Sequence, residues 1–206
     1  MNPRTEPRLR IAIDAGERLF SVLLFTVFIL RQWHSFAPKP YNTLAVISEG
    51  VLVAFMVFRR PARSLTFRPQ DWLVALAGTT LPMLAMAGGK PLVPALTGTI
   101  LMSAGLVFSL WAKLSIRRSF GLAAANRGVV MAGPYRWVRH PMYLGYAFVH
   151  LGYLLMNPLP WNAVLYACVW AFQVARILAE ERLLNEDPAY SAFAGRVRFR
   201  LAPGLF

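Results

Sequence analysis

The sequence predicts an all-α fold, a polytopic membrane bundle of about five to six helices. Three observations carry that prediction. Hydrophobic residues make up 57% of the chain and charged residues only 15%, with a mean hydropathy of +0.46; an average soluble domain carries about 25% charged residues. Apolar runs recur at 19–36, 43–58, 72–88, 92–112, 142–156 and 161–179, near the ~20 residues that a full helical span needs. The basic residues between the runs are strongly biased to one side. On a path of six crossings, nineteen of the 22 Lys and Arg fall on one side, leaving only Arg31, Lys39 and Lys90 for the other. The positive-inside rule makes the larger side cytoplasmic, with both termini there.

The elements follow in order. The polar, basic segment MNPRTEPRLRIAIDAGER precedes the first run, and no small-residue cleavage site follows that run. It is therefore expected to stay as a helix. Arg59, Arg60, Arg63 and Arg68 close the second run. Lys113, Arg117, Arg118, Arg127, Arg136 and Arg139 fill the stretch between runs four and five. Runs five and six meet at MNPLPW, residues 156–161. Asn157-Pro158 and Pro160 mark a tight turn there, so the two runs form a C-terminal helical hairpin. Its open end brings residues 113–141 and 176–206 together on the cytoplasmic side. The formal net charge is +13. Because the basic residues sit between apolar runs, the partner they suit is the anionic leaflet of membrane lipids and not a nucleic acid. The single Cys168 leaves no intrachain disulfide and no cysteine-based metal site; mid-helix, it reads as a small core residue. No metal site is expected, and no G-x-G-x-x-G loop marks a Rossmann nucleotide site.

Three polar groups stand out. In RGVVMAGPYRWVRHPMYLG, residues 127–145, Pro141 suits the first turn of run five, where its missing N–H costs nothing. His140 then falls at the N-cap and Tyr143 in the first turn. An interfacial belt of Tyr135, Trp137 and Tyr143, with Arg136 and Arg139 at lipid phosphates, accounts for the same residues. In ARILAEERLL, residues 175–184, Arg176 and Glu180 share a helix face while Glu181 turns about 100° away. An ordinary i,i+4 ion pair explains that spacing too. Glu49 lies inside an apolar run, where an acid costs about 2.5–3.5 kcal/mol on insertion scales. It should face the bundle interior, with Asp14, Glu17 and Arg18 as candidate neighbours.

GPYRWVRHPMYLG, then NP, then EE, resembles the membrane methyltransferases of the isoprenylcysteine carboxyl methyltransferase and phospholipid methyltransferase superfamily. RRSFGL (117–122) and EERLLNEDPAYSAFAGRVRFRLAPGLF at the C-terminus are similar to bacterial members. The likeness covers about residues 110–206. It implies one integral membrane domain over 1–206, with N-terminal transmembrane helices over 1–112 and a methyltransferase-like region over 113–206. It also implies an S-adenosylmethionine cofactor held in a cytoplasmic pocket, in a bacterial inner membrane. Carried over position by position, the cofactor-binding residues are Arg127, Gly128, Val129, Val130, Tyr135, His140, Pro141, Met142, Tyr143 and Glu180. Arg176 stands where the carboxyl methyltransferase branch places its substrate-contacting arginine.

The chemistry of those residue types agrees. Glu180 can accept from an ammonium. Backbone N–H groups at the start of run five, with His140, suit a carboxylate. Arg176 can orient an acceptor carboxylate, which needs no general base, by charge-assisted hydrogen bonds. The expected reaction is methyl transfer to a membrane-dissolved acceptor, most simply the carboxylate of an isoprenoid or lipid-like molecule. A phospholipid amine acceptor and a nicotinamide-dependent membrane reductase of related fold are the alternatives, and a non-enzymatic scaffold is a third.

Overall fold

In the computed structural model, which describes residues 5–32, 40–202, 204 and 206, the chain is an all-α membrane bundle. Seven α-helices follow in order among the described residues: α1 (Thr5–Gln32), α2 (Pro40–Val57), α3 (Pro69–Thr80), α4 (Ala95–Ile116), α5 (Pro141–Met156), α6 (Pro160–Leu184) and α7 (Pro188–Arg196). Short 3₁₀ turns cover Leu81–Leu84, Arg117–Ser119 and Gly133–Arg136. Arg4 and Lys39, both part of the charge asymmetry, lie outside the described residues.

Two stretches, Ala95–Ser119 and Pro160–Leu184, are long and apolar enough to cross a membrane unaided. The third apolar run behaves differently from its expected span. Its α-helix has 12 residues, about 18 Å at 1.5 Å per residue, and Pro82 tightens the continuation into a 3₁₀ turn. Exposed apolar side chains such as Leu96, Ile100, Val107, Val164 and Leu178 cover the outer faces of α4 and α6, as lipid contact requires. Cys168 belongs to that exposed set. This corrects its reading as a core residue: it sits on the outward face of α6.

The turn between runs five and six forms as expected. Leu159 N–H donates to Asn157 O (2.8 Å), and Asn162, fully buried, donates from Nδ2 to Asn157 O (2.8 Å) and Met86 O (2.8 Å). The two helices then part: α5 packs chiefly on α4, and α6 on α3. Glycines decide the first pairing. Gly98 and Gly105 on α4 face Gly152 and Gly145 on α5, and a Cβ on Gly145 would stand 2.7 Å from Gly105 O. Small residues let the two backbones approach, the main route to tight packing where lipid removes the hydrophobic drive.

A two-residue antiparallel bridge, β1 (Ser64–Leu65) with β2 (Ala125–Asn126), ties the α2–α3 loop to the loop after α4. The basic residues separate spatially. Arg60, Arg63, Arg68, Arg117, Arg118, Arg136, Arg196 and Arg198 are exposed at the end of the bundle that carries His140. Lys90 is exposed beside Gly88 and Gly89, which pack on Leu159, Pro158 and Asn157 at the opposite end. Four arginines and lysines of the basic tally are not surface anchors at all. Arg59, Lys113, Arg127 and Arg176 are buried in ion pairs.

Candidate functional site

The site is assembled where α4, α5, α6 and α7 meet the loop of residues 117–140. Pro141 opens α5 and His140 is its N-cap residue, as the sequence predicts. The N–H groups of Arg139 and His140 do not wait for an anion, however. They donate to Phe199 O (3.0 Å) and Arg200 O (2.8 Å) of the C-terminal segment. That segment is strapped onto the start of α5, so the N–H groups of Arg139 and His140 are already satisfied. His140 is likewise committed to acids: its Nε2 lies 3.2 Å from Glu181 Oε1 and its Nδ1 3.8 Å from Glu180 Oε2.

Glu180 and Glu181, adjacent in sequence, have opposite surroundings. Glu180 points at the open space. It accepts from Tyr143 Oη (2.5 Å) and lies 3.3 Å from Arg176 Nε. Glu181 turns inward, as the 100° offset requires, and becomes a hub. It accepts from Arg200 Nε (2.7 Å) and Tyr190 Oη (3.4 Å) and lies 2.9 Å from Arg139 Nε. Glu181 thereby joins α6, α7, the C-terminal strap and the start of α5. The sequence reading missed that role; the available signal was the surplus of cations, Arg139 and Arg200, around one inward-facing acid.

A cleft opens beside Glu180, with about 800 Å³ of space between its walls, counting the part open to solvent. Arg127, Gly128, Val129, Val130, Tyr135, His140, Met142, Tyr143 and Glu180 all line it. Pro141 is buried behind the lining, and Arg176 stands behind Tyr143, its guanidinium 5.5 Å from that ring. Ile116, Phe120, Leu184 and Phe193 supply further apolar wall, and Arg139, which the sequence left unassigned, also lines it. The wall at residues 123–125 was not legible from its own residues, which are all alanine. It is fixed from a distance by Glu17 of α1, a buried carboxylate that accepts from the N–H groups of Leu122 and Ala123 and pairs with Arg59 (2.5 Å).

The cleft wall carries charge of both signs. Glu180 supplies the acid. Arg127 carries buried Nε and Nη1 atoms without a hydrogen-bond partner, while its Nη2 lies 3.7 Å from Glu17. Burial, followed by the neighbouring Arg59, brings its pKa down to about 10, against the pull of Glu17 and Asp14. Tyr135 is buried, and burial, then Glu180, push its hydroxyl up, so it is neutral at physiological pH. No group of three or more metal-ligating side chains occurs among the described residues.

Residues 94–190, from the start of α4 into α7, match the family described as phospholipid methyltransferase. The matched family, phospholipid methyltransferase, covers just under half of the chain. It lies within the isoprenylcysteine carboxyl methyltransferase-like superfamily, and the protein is a membrane methyltransferase. No curated protein is a significant match to the chain. The phospholipid methyltransferase segment contains the whole cleft except the Phe193 wall, and leaves α1 to α3 outside it. Those helices nonetheless reach the site through Glu17, Arg59 and Thr79, the last lying 3.3 Å from Arg176 Nη1.

Proposed function

We propose that the chain uses S-adenosylmethionine to methylate a membrane-dissolved acceptor, most simply the carboxylate of an isoprenoid or lipid-like molecule. The observation that carries the donor is the charge layout of the cleft. An acid, Glu180, and two guanidinium groups, Arg127 and Arg139, stand with Ser119 and His140 in a wall that is mainly aromatic and aliphatic. That donor set suits a ligand with an ammonium, a carboxylate and a flat heteroaromatic body. The unpartnered Nε and Nη1 of Arg127 are the groups such a carboxylate would satisfy, which removes the cost of leaving them buried. Tyr135, Val129, Val130 and Met142 would pack the nucleoside. When bound, S-adenosylmethionine supplies an electrophilic methyl group on a sulfonium.

The protein's own work is alignment and exclusion of water. Tyr143 and Arg176 hold Glu180 in place from behind. Arg176 is itself oriented by Leu122 O (2.7 Å), leaving Nε buried without a hydrogen-bond partner. A buried, fixed cation of this kind favours an anionic acceptor and gives no help to an amine, which must lose a proton before it attacks. The amine alternative has one observation in its favour, the Glu49 carboxylate, whose side chain is 35% exposed within the bundle. We place the cleft and both termini on the cytoplasmic side of a bacterial inner membrane. The exposed arginines at the cleft's end of the bundle support that orientation.

The test is label transfer from a methyl-labelled donor to membrane lipid by protein in detergent. A methyl ester releases its label as methanol in base, whereas a methylated amine keeps it. Base-labile label is the expected product; base-stable label overturns the acceptor assignment. Arg176→Ala should lower formation of base-labile product by about 100-fold, on the scale of a lost charge-assisted contact, with donor affinity within about 3-fold.

A further inference from the structure

Lys113 and Glu49 are the least expected pair in the bundle. Lys113 lies within the Ala95–Ser119 span and is 1% exposed, yet it carries an ammonium. Its Nζ donates to Glu49 Oε1 (2.6 Å) and Ser48 Oγ (2.9 Å) on α2, and sits 5.4 Å from the Tyr146 ring. An ionisable group at such a place is expensive, and the usual reason for keeping one is function. The two ends of this pair differ. The lysine is sealed in, whereas the glutamate is a third exposed.

Position gives the pair a task. Lys113 is three residues before Ile116 on α4, and Tyr146 is four residues after Met142 on α5; Ile116 and Met142 both line the cleft. The cluster is therefore one helical turn deeper in the bundle than the cleft, about 5 Å by helix rise. A lipid-borne acceptor must reach the cleft from that side. Two tyrosines connect the cluster to Arg176: the Tyr146 and Tyr143 rings are edge-on at 6.2 Å, and Arg176 covers Tyr143 at 5.5 Å. Two buried cations thus flank one pair of rings just beneath the cleft.

We propose that Lys113 is a second ligand for the acceptor's carboxylate, acting with Arg176, and that Glu49 is the counter-ion it releases when the acceptor binds. The assignment rests on the carboxylate reading above. It explains why a full ion pair is kept one turn below the cleft and why its acid, not its base, is the more exposed member. It also brings α2, outside the family segment, into acceptor selection.

The experiment titrates a bacterial total-lipid extract against protein in detergent, with labelled methyl donor, and counts base-released methanol. Lys113→Met should raise the half-saturating acceptor concentration at least 10-fold, leaving maximal rate and donor Kd within about 2-fold. Lys113→Arg should restore most of the loss. The double variant Glu49→Gln/Lys113→Met removes both charges and guards against a folding defect: it should regain any lost melting temperature while keeping the acceptor defect. The proposal is overturned if the double variant recovers acceptor saturation together with stability, since Lys113 would then serve only to neutralise Glu49. It is equally overturned if donor and acceptor affinities fall together. Base-stable label in the wild type would instead remove the carboxylate reading beneath it, and base-labile label with an unchanged Lys113→Met titration would remove this proposal alone.

Discussion

Exchange of either adjacent glutamate for glutamine should produce two different proteins. Glu180 and Glu181 differ by one position and about 100° of helix rotation, and their partners differ completely. Glu180 faces the cleft with its side chain 21% exposed; Glu181 is 6% exposed beneath two arginines, a histidine and a tyrosine. In Glu180→Gln, one charge-assisted contact to the donor's ammonium is weakened. Such a contact is worth about 1.5–3 kcal/mol, or roughly 10- to 150-fold in Kd. Partial exposure and the standing partners Tyr143 and Arg176 place the result near the lower end, about 10- to 30-fold. The melting temperature should move less than in Glu181→Gln, because Gln can still accept from Tyr143 Oη on α5 and Arg176 keeps its bond to Leu122 O. Glu181→Gln leaves Arg139 and Arg200 without their buried counter-ion. Breaking such a pair costs about 3–5 kcal/mol, on the order of 6–20 °C for a chain of this size. Calorimetry of donor binding and a thermal melt, both in detergent, measure the two quantities. An unchanged donor Kd in Glu180→Gln, or a larger melting shift in Glu180→Gln than in Glu181→Gln, would refute this division of labour.

Two further outcomes are expected. Gly145→Ala puts a methyl group 2.7 Å from Gly105 O and 2.7 Å from Ser109 Cβ, which should cost about 1–3 kcal/mol as an overpacked contact, read as a lower melting temperature; Gly195→Ala, with nothing within 4 Å, is the matched control and should be neutral. Asp187 caps α7 through Ala189 N–H and accepts from Asn126 Nδ2 (2.7 Å), and these bonds, Asn126 first, hold its carboxyl below the ordinary value. A depressed folded pKa means that the stabilisation is fully present above the unfolded value, about 3.9, and is lost as pH falls through the lower folded value. Protection of the α7 amides, measured as exchange relative to the intrinsic rate, should therefore fall below about pH 4 in the wild type; an Asn126→Ala variant with identical protection at every pH would contradict that linkage.

Much of this protein was readable one residue at a time. The Pro at the first turn of α5, the i,i+4 pair Arg176–Glu180 and the turn at Asn157 are local features governed by backbone sterics and helical repeat, and they stand where spacing puts them. The apolar wall of the cleft was readable only in part. Val129, Val130 and Tyr135 came through resemblance, while Phe120, Leu184 and Phe193 carry no signature beyond being apolar. The interior ion pairs were the hardest. Glu49 was expected to find a partner on the first helix, among Asp14, Glu17 and Arg18; its partner is Lys113 on α4, sixty-four residues away. Glu17 turned out to serve Arg59 and the backbone of Leu122 and Ala123.

The sequence by itself determined that this is a helical membrane protein, which end of the bundle is basic, and which motif residues crowd one another. Those are consequences of transfer free energy and helical periodicity, both set within a few turns of chain. Only the tertiary structure decided which cations leave the surface. Arg59 and Lys113 look in sequence like leaflet anchors, and an anchor and a buried partner differ in nothing local. What separates them is whether a carboxylate from another helix arrives within about 4 Å, where the low dielectric makes the pair worth its desolvation.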